Sequence, residues 1–186
     1  MTLFEYLAIA FSLVLSFTAM RLIAGLQFAV QPDRRYWVHL VFLSSQLLVT
    51  VMMFWNLWSF RDATWTLPRF ILILALPGLL YFIACTLIPE QASSVESWRS
   101  YYYSVRRRYF VGLGATVLAI YFGTAIVLDV PWLHPAHVPQ LAGMAIALLG
   151  AHSSSERVHA GLALFLVLNL TVAGYAVFLE PGAIAQ

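Results

Sequence analysis

Residues 3–30 read LFEYLAIAFSLVLSFTAMRLIAGLQFAV. Beyond Glu5, Arg21 and Gln27, the stretch holds no side chain more polar than a hydroxyl. A helix needs about 20 apolar residues to cross about 30 Å of hydrocarbon. A membrane strand would instead alternate apolar and polar positions over about 10 residues, and this run is solidly apolar. Backbone groups in lipid must be satisfied within the segment, so the run is expected to be helical. It opens with no basic residue and is followed by no small-residue cleavage site. It therefore reads as a retained first span and not as a removed leader.

Five further apolar runs follow at about 36–60, 65–88, 109–128, 137–151 and 157–179. The expectation is an all-α polytopic membrane bundle of six transmembrane helices, in one domain over 1–186. Composition agrees: 62% of the 186 residues are hydrophobic and 10% charged, with a mean hydropathy of +0.84. Soluble domains average about 45–50% apolar and about 25% charged, so lipid is the solvent expected for most of the chain. A net charge of +2 gives no footprint for nucleic acid. With ten arginines and no lysine, a Schiff-base pigment, a P-loop and lysine-nucleophile chemistry are excluded. Cys85 is the sole cysteine, so no intramolecular disulfide forms. HExxH, CxxC and GxSxG motifs are absent, which weighs against an enzyme.

Orientation follows from the arginines. Arg34, Arg35, Arg99, Arg106, Arg107, Arg108 and Arg157 fall in loops on one side; only Arg61 and Arg69 fall on the other. Seven against two places the first set in the cytoplasm and both termini outside. Arg106–Arg108 act as a topogenic stop before the fourth span. Upstream, Trp98, Tyr102, Val105 and Tyr109 form one apolar-aromatic stripe, which predicts a short amphipathic interfacial helix over about 94–107 on the inner leaflet. Arg99, Arg106, Arg107 and Arg108 would then contact anionic lipid there. Trp37 and Trp98 at one boundary, with Trp55, Trp58, Trp65 and Trp132 at the other, form the expected aromatic belts.

Arg21 is the charge inside a span, and such charges are candidate functional sites. It lies about nine residues, or roughly 13 Å, from the inner end of its run. Equal depth on the other spans gives Ser44, Ser45, Gln46, Tyr81, Thr116 and Asn169, a candidate polar layer for a solute or lipid. The acidic residues fall near the two boundaries: Glu5, Asp62, Asp129 and Glu180 outside, Asp33, Glu90, Glu96 and Glu156 inside. Arg21 thus has no carboxylate at its own level, and its alternatives are snorkelling, internal hydrogen bonding or an anionic ligand. Glu5, with Ser12 and Ser16 on nearly one face, reads as a headgroup-level helix start or as the beginning of a polar path. Pro77 and Gly78 are expected to kink or gate the third span. The fifth run is short and is preceded by prolines.

The five histidines are the candidate metal or haem ligands. His134 and His137 form an HxxH with half the donors a metal site needs. His39, His152 and His159 map near the inner boundary, where a facing pair could ligate a b-type haem. Otherwise no cofactor is expected. Small residues recur every four positions at Ala115, Ala119 and Gly123 on the fourth span and at Gly143, Ala147 and Ala151 on the fifth. These ridges predict close packing of the two spans on each other, on another membrane subunit or on a second copy.

The stretches LFEYLAIAFSLVLSFTAMRLIAGL, RRYWVHL, LPGLLYFIACTLIPE and ESWRSYYYSVRRRYF resemble, in layout, a broad group of uncharacterised bacterial six-span integral membrane proteins. The resemblance covers most of residues 3–110. It implies a bacterial inner-membrane setting and no particular activity. Function is expected in one of three classes: an accessory or structural subunit of a membrane assembly, a small transporter or channel for an anionic or lipid-like solute using Arg21, or a haem electron carrier.

Overall fold

The computed structural model describes residues 2–178; Leu179 at the end of the sixth expected span, and Glu180, lie outside them. The helices are α1 (Leu3–Ala29), α2 (Trp37–Asn56), α3 (Leu67–Leu87), α4 (Trp98–Val127), α5 (Val138–His152) and α6 (Glu156–Phe178). Single 3-10 turns follow α2 at Leu57–Phe60, precede α4 at Ala92–Ser94 and precede α5 at Pro135–His137. No strand occurs among the described residues. Five helical segments are long and apolar enough to cross a membrane. The exception is α5, whose 15 residues span only about 22 Å.

Local chemistry sets the helix starts. Thr2 and Glu5 form a reciprocal capping box, with the Glu5 backbone N–H donating to the Thr2 hydroxyl at 3.2 Å and the Thr2 N–H to the Glu5 carboxylate at 2.8 Å. Glu5 thereby marks the beginning of α1. Ser12 and Ser16 donate back to Ala8 and Ser12 carbonyls of the same helix. Pro68 and Pro139 stand in the first turns of α3 and α5, where a missing N–H costs nothing. Pro77 lies inside α3, yet the helix runs unbroken through it, and Gly78 faces open space.

Each helix packs chiefly on two others, and the pairs close a ring in the order α1, α3, α4, α5, α6, α2 and back to α1. α2 leans inward and also touches α3 and α4. One core cluster, at the arginine-rich end, is aromatic and includes Phe42, Trp98, Tyr102, Tyr109 and Phe110. The other, toward the opposite end, gathers Leu7, Phe11, Phe60, Ile73 and Leu80. α1 is apolar on both faces. Leu7, Phe11, Leu15 and Leu22 turn inward, while Leu3, Tyr6, Ile9, Leu13, Phe17, Met20 and Ile23 form an exposed stripe. A helix bathed in water would turn a polar face outward; this one offers lipid an apolar wall.

Two expectations are corrected. Residues 98–107 are not a separate interfacial helix. They are the first turns of one 30-residue α4, about 45 Å long, preceded only by the 3-10 turn at Ala92–Ser94. The aromatic stripe that was to lie on lipid is buried on protein instead: Trp98 and Tyr109 are 1% exposed and Tyr102 is 0% exposed. Trp98 stacks on His39, and its indole N–H donates to the Phe28 carbonyl at 3.1 Å. With its apolar side packed on residues of α2 and α6, the segment continues into α4 as one helix.

The second correction concerns the small residues. α5 does pack on α4 through Gly143 and Ala147, which meet Val117 and Gly114. The α4 ridge points elsewhere: Ala115 is exposed, Ala119 packs with the Ile73–Leu80 cluster, and Gly123 lies against Ile73 of α3. On α5, Gly150 lies close against the buried Phe110 ring, where an added Cβ would overlap ring atoms. Gly150→Ala is therefore expected to destabilise the bundle by about 1–3 kcal/mol through overpacking. Thermal unfolding in lipid nanodiscs checks this; an unchanged midpoint would contradict it.

Candidate functional site

Arg21 stands on the outer side of the α1–α3 contact. Its guanidinium donates to the Ile88 carbonyl at 2.9 Å, the residue that closes the C-terminus of α3. A cation there also meets the negative end of the helix dipole. Tyr81, Cys85 and Tyr101 are close by, and the Tyr101 hydroxyl donates to Thr86 O at 2.9 Å. The Arg21 side chain thus reaches toward the arginine-rich end and ties α1 to α3.

The polar layer expected around Arg21 is divided among three places. Tyr81 stays with Arg21 on the outer surface. Ser44 and Ser45 line a shallow groove between α2 and α6, together with Thr171. Gln46, Thr116 and Asn169 line one partly open cavity of about 150 Å³ between α2, α4, α5 and α6, with Leu80 of α3 at its wall. Asn56 and Gln140 add polar groups to its lining, and the rest is apolar, Met53 and Leu166 among it. Counting depth from one end alone overlooks Asn56 and Gln140. Counting inward from the opposite helix ends would have found them.

Within the cavity most donors are already satisfied. Asn169 Nδ2 donates to Pro139 O at 3.2 Å and the Thr116 hydroxyl to Gly112 O at 3.0 Å. The Gln140 amide nitrogen, oriented to suit its neighbours, donates to the Ala136 and His137 carbonyls at 2.8 and 3.1 Å. Gln46 differs: it is 3% exposed, and its Nε2 has no acceptor. No Asp, Glu, Lys, Arg or His contributes to the lining, so the site is electrically neutral.

The histidines do not converge. His159 Nε2 lies 3.0 Å from Ser153 O, which must accept, so Nδ1 accepts from the Tyr102 hydroxyl at 2.7 Å. His39 is fully buried, stacked on Trp98 with both ring nitrogens unpartnered. The Tyr102 ring packs against His39 and His159 alike, with centroids 6.1 and 5.4 Å away. His152 is exposed and bonds its own helix at Leu148 O. His134 Nδ1 accepts from Ala136 N–H, whereas His137 is buried against Tyr121; the HxxH pair is thus divided. Among the described residues no three metal-ligating side chains come together.

The arginine-rich end is stitched largely by protein. Arg34 donates to the Ser93 and Val95 carbonyls at 2.8 and 3.1 Å. Arg106 Nε donates to Ser153 O at 3.0 Å, and Arg99 pairs with Glu156 at 2.8 Å. Both thus hold the α5–α6 turn onto α4, while Arg107 and Arg108 are exposed. Beside them Tyr36 and Tyr103 share a 3.3 Å hydroxyl contact. Burial, with Tyr103 adjacent, pushes the Tyr36 phenol above its usual range.

No family model, curated protein or solved structure matches the chain. The class supported by the fold is therefore the coarse one: an all-helical chain with five helices apolar and long enough to cross a membrane.

Proposed function

We propose that the chain is a six-span protein of the bacterial inner membrane, with both termini periplasmic, that binds a small lipid-like solute inside its helix ring. The observation that carries this reading is the neutral, largely apolar cavity between α2, α4, α5 and α6, with its buried and unpartnered Gln46 amide. Ligand sites commonly take this form: apolar walls with a few polar groups that fix orientation. α5 is too short to cross alone, but it completes the ring between α4 and α6. Of the anionic or lipid-like solutes expected from Arg21, the proposed one is lipid-like and uncharged, because Arg21 is engaged at Ile88, away from the cavity. Arg107 and Arg108, exposed at the proposed cytoplasmic end, remain the arginines best placed for anionic lipid.

Solvent extraction and mass spectrometry of the gently purified protein test the reading. A retained lipophile in the wild type that is lost in Ala173→Phe, which fills the cavity from α6, is the expected result. Equal retention by both proteins would overturn it. Orientation is tested with single cysteines in a Cys85→Ser background. Thr64→Cys should react with an impermeant thiol reagent on intact spheroplasts, and Ser94→Cys only after lysis; the reverse pattern would invert the topology.

A second reading, an accessory subunit of a membrane assembly, is favoured by the outward groove at Ser44, Ser45 and Thr171. Small hydroxyl residues let another helix approach closely in lipid. Ser45→Leu should then release a co-purifying subunit; a protein that purifies alone removes this reading.

A further inference from the structure

We infer that the cavity takes an uncharged, ring-sized lipophile carrying a hydrogen-bond acceptor of the ketone or quinone type, held by the Gln46 amide nitrogen. The inference rests on the solute-binding reading above and adds the chemical class of the ligand. It comes from three properties of the lining taken together.

The first is charge. No ionised side chain lines the cavity, and an ion brought there would lose its hydration with no counter-charge to replace it. Carboxylates, phosphates and ammonium groups are thereby disfavoured. The second is the donor. Asn169, Thr116 and Gln140 each direct a donor to a backbone carbonyl of the protein. Gln46 Nε2 is buried with no acceptor. Buried amides are nearly always satisfied, so the unpartnered amide of a residue that lines an apolar chamber calls for an acceptor from the occupant. A carbonyl oxygen supplies one without bringing a charge. The third is size. A cavity of about 150 Å³ with apolar walls accommodates a benzene-sized group, so the recognised part is a single ring or its equivalent.

Gln46 is placed for this by the sequence of α2. It follows the buried Phe42, Leu43 and Ser45 and precedes the buried Thr50, so it lies on the face that turns into the ring. Thr50 donates to the Gln46 backbone carbonyl at 2.8 Å, and the Gln46 side-chain Nε2 has no acceptor on its own helix or elsewhere among the described residues.

The test compares three probes of similar shape: 4-fluoroacetophenone, 4-fluoroethylbenzene and 4-fluorobenzoate. Binding is read by 19F NMR on the full chain in lipid nanodiscs, with empty nanodiscs subtracted for partitioning into lipid. The wild type should bind the ketone about tenfold more tightly than the hydrocarbon, the scale of one net hydrogen bond, and should not bind the carboxylate. Gln46→Met, nearly equal in shape, should lose that preference while keeping the hydrocarbon. Its thermal midpoint should not fall, because the change removes an unsatisfied amide; Gln46→Leu serves if the methionine variant fails to fold. Equal binding of ketone and hydrocarbon by the wild type, or the same preference in both proteins, would overturn the inference and leave the solute-binding reading standing. If the wild type bound none of the probes and Ala173→Phe retained lipophile equally, both would fall.

Discussion

Tyr102→Ala is expected to lower stability by about 3–5 kcal/mol, the range for removing a fully buried aromatic ring. Tyr102 is 0% exposed. Its ring packs on Tyr36 and Phe42 with centroids 5.8 Å away, and on Tyr103 at 5.2 Å. It is also the bridge between α2 and α6, touching His39 on one and His159 on the other. Tyr102→Phe isolates the hydroxyl. The Nε2 proton of His159 is held by Ser153 O, so Nδ1 needs the Tyr102 donor. Losing that donor strands a buried acceptor, at about 1–3 kcal/mol. Thermal unfolding followed by circular dichroism orders the variants as wild type, Phe, Ala from most to least stable. A phenylalanine variant as stable as wild type would mean that the hydrogen bond contributes nothing.

Arg21→Leu should cost about 1.5–3 kcal/mol, the value of a hydrogen bond to a charged donor, and should leave solute binding unchanged. The guanidinium donates to Ile88 O at the end of α3, while the cavity lining is drawn from α2 through α6 without it. Stability and binding are thus predicted to separate. Wild-type-like stability with lost binding would return the ligand to Arg21 and restore the anionic-solute expectation. Loss of both would show that the α1–α3 tie also shapes the cavity.

The histidines illustrate how partners decide roles. Depth along the chain puts His39, His152 and His159 near one boundary, and all three do lie at the arginine-rich end. What separates them is azimuth: His152 faces outward, while His39 and His159 face the same tyrosine from different helices. The polar layer behaved alike. Residues at equal depth as distant as Tyr81 and Gln46 turned to opposite sides of the ring, outer surface and inner cavity.

Helicity and the position of each apolar run were determined by the sequence alone, because lipid forbids an unsatisfied backbone and so turns a long apolar stretch into a helix. The first run, expected over 3–30, is α1 at Leu3–Ala29, and the expected 109–128 run is the apolar part of α4. The asymmetric placement of the arginines was equally legible. Helix rotation was not. In a chain with apolar residues on every face, periodicity names no inward side, and only contacts between helices select one. The ring order, the continuous α4, the engagement of Arg21 with Ile88 and the cavity at Gln46 all follow from that selection. They belong to the tertiary structure because each depends on which side chains from distant parts of the chain fill the same space.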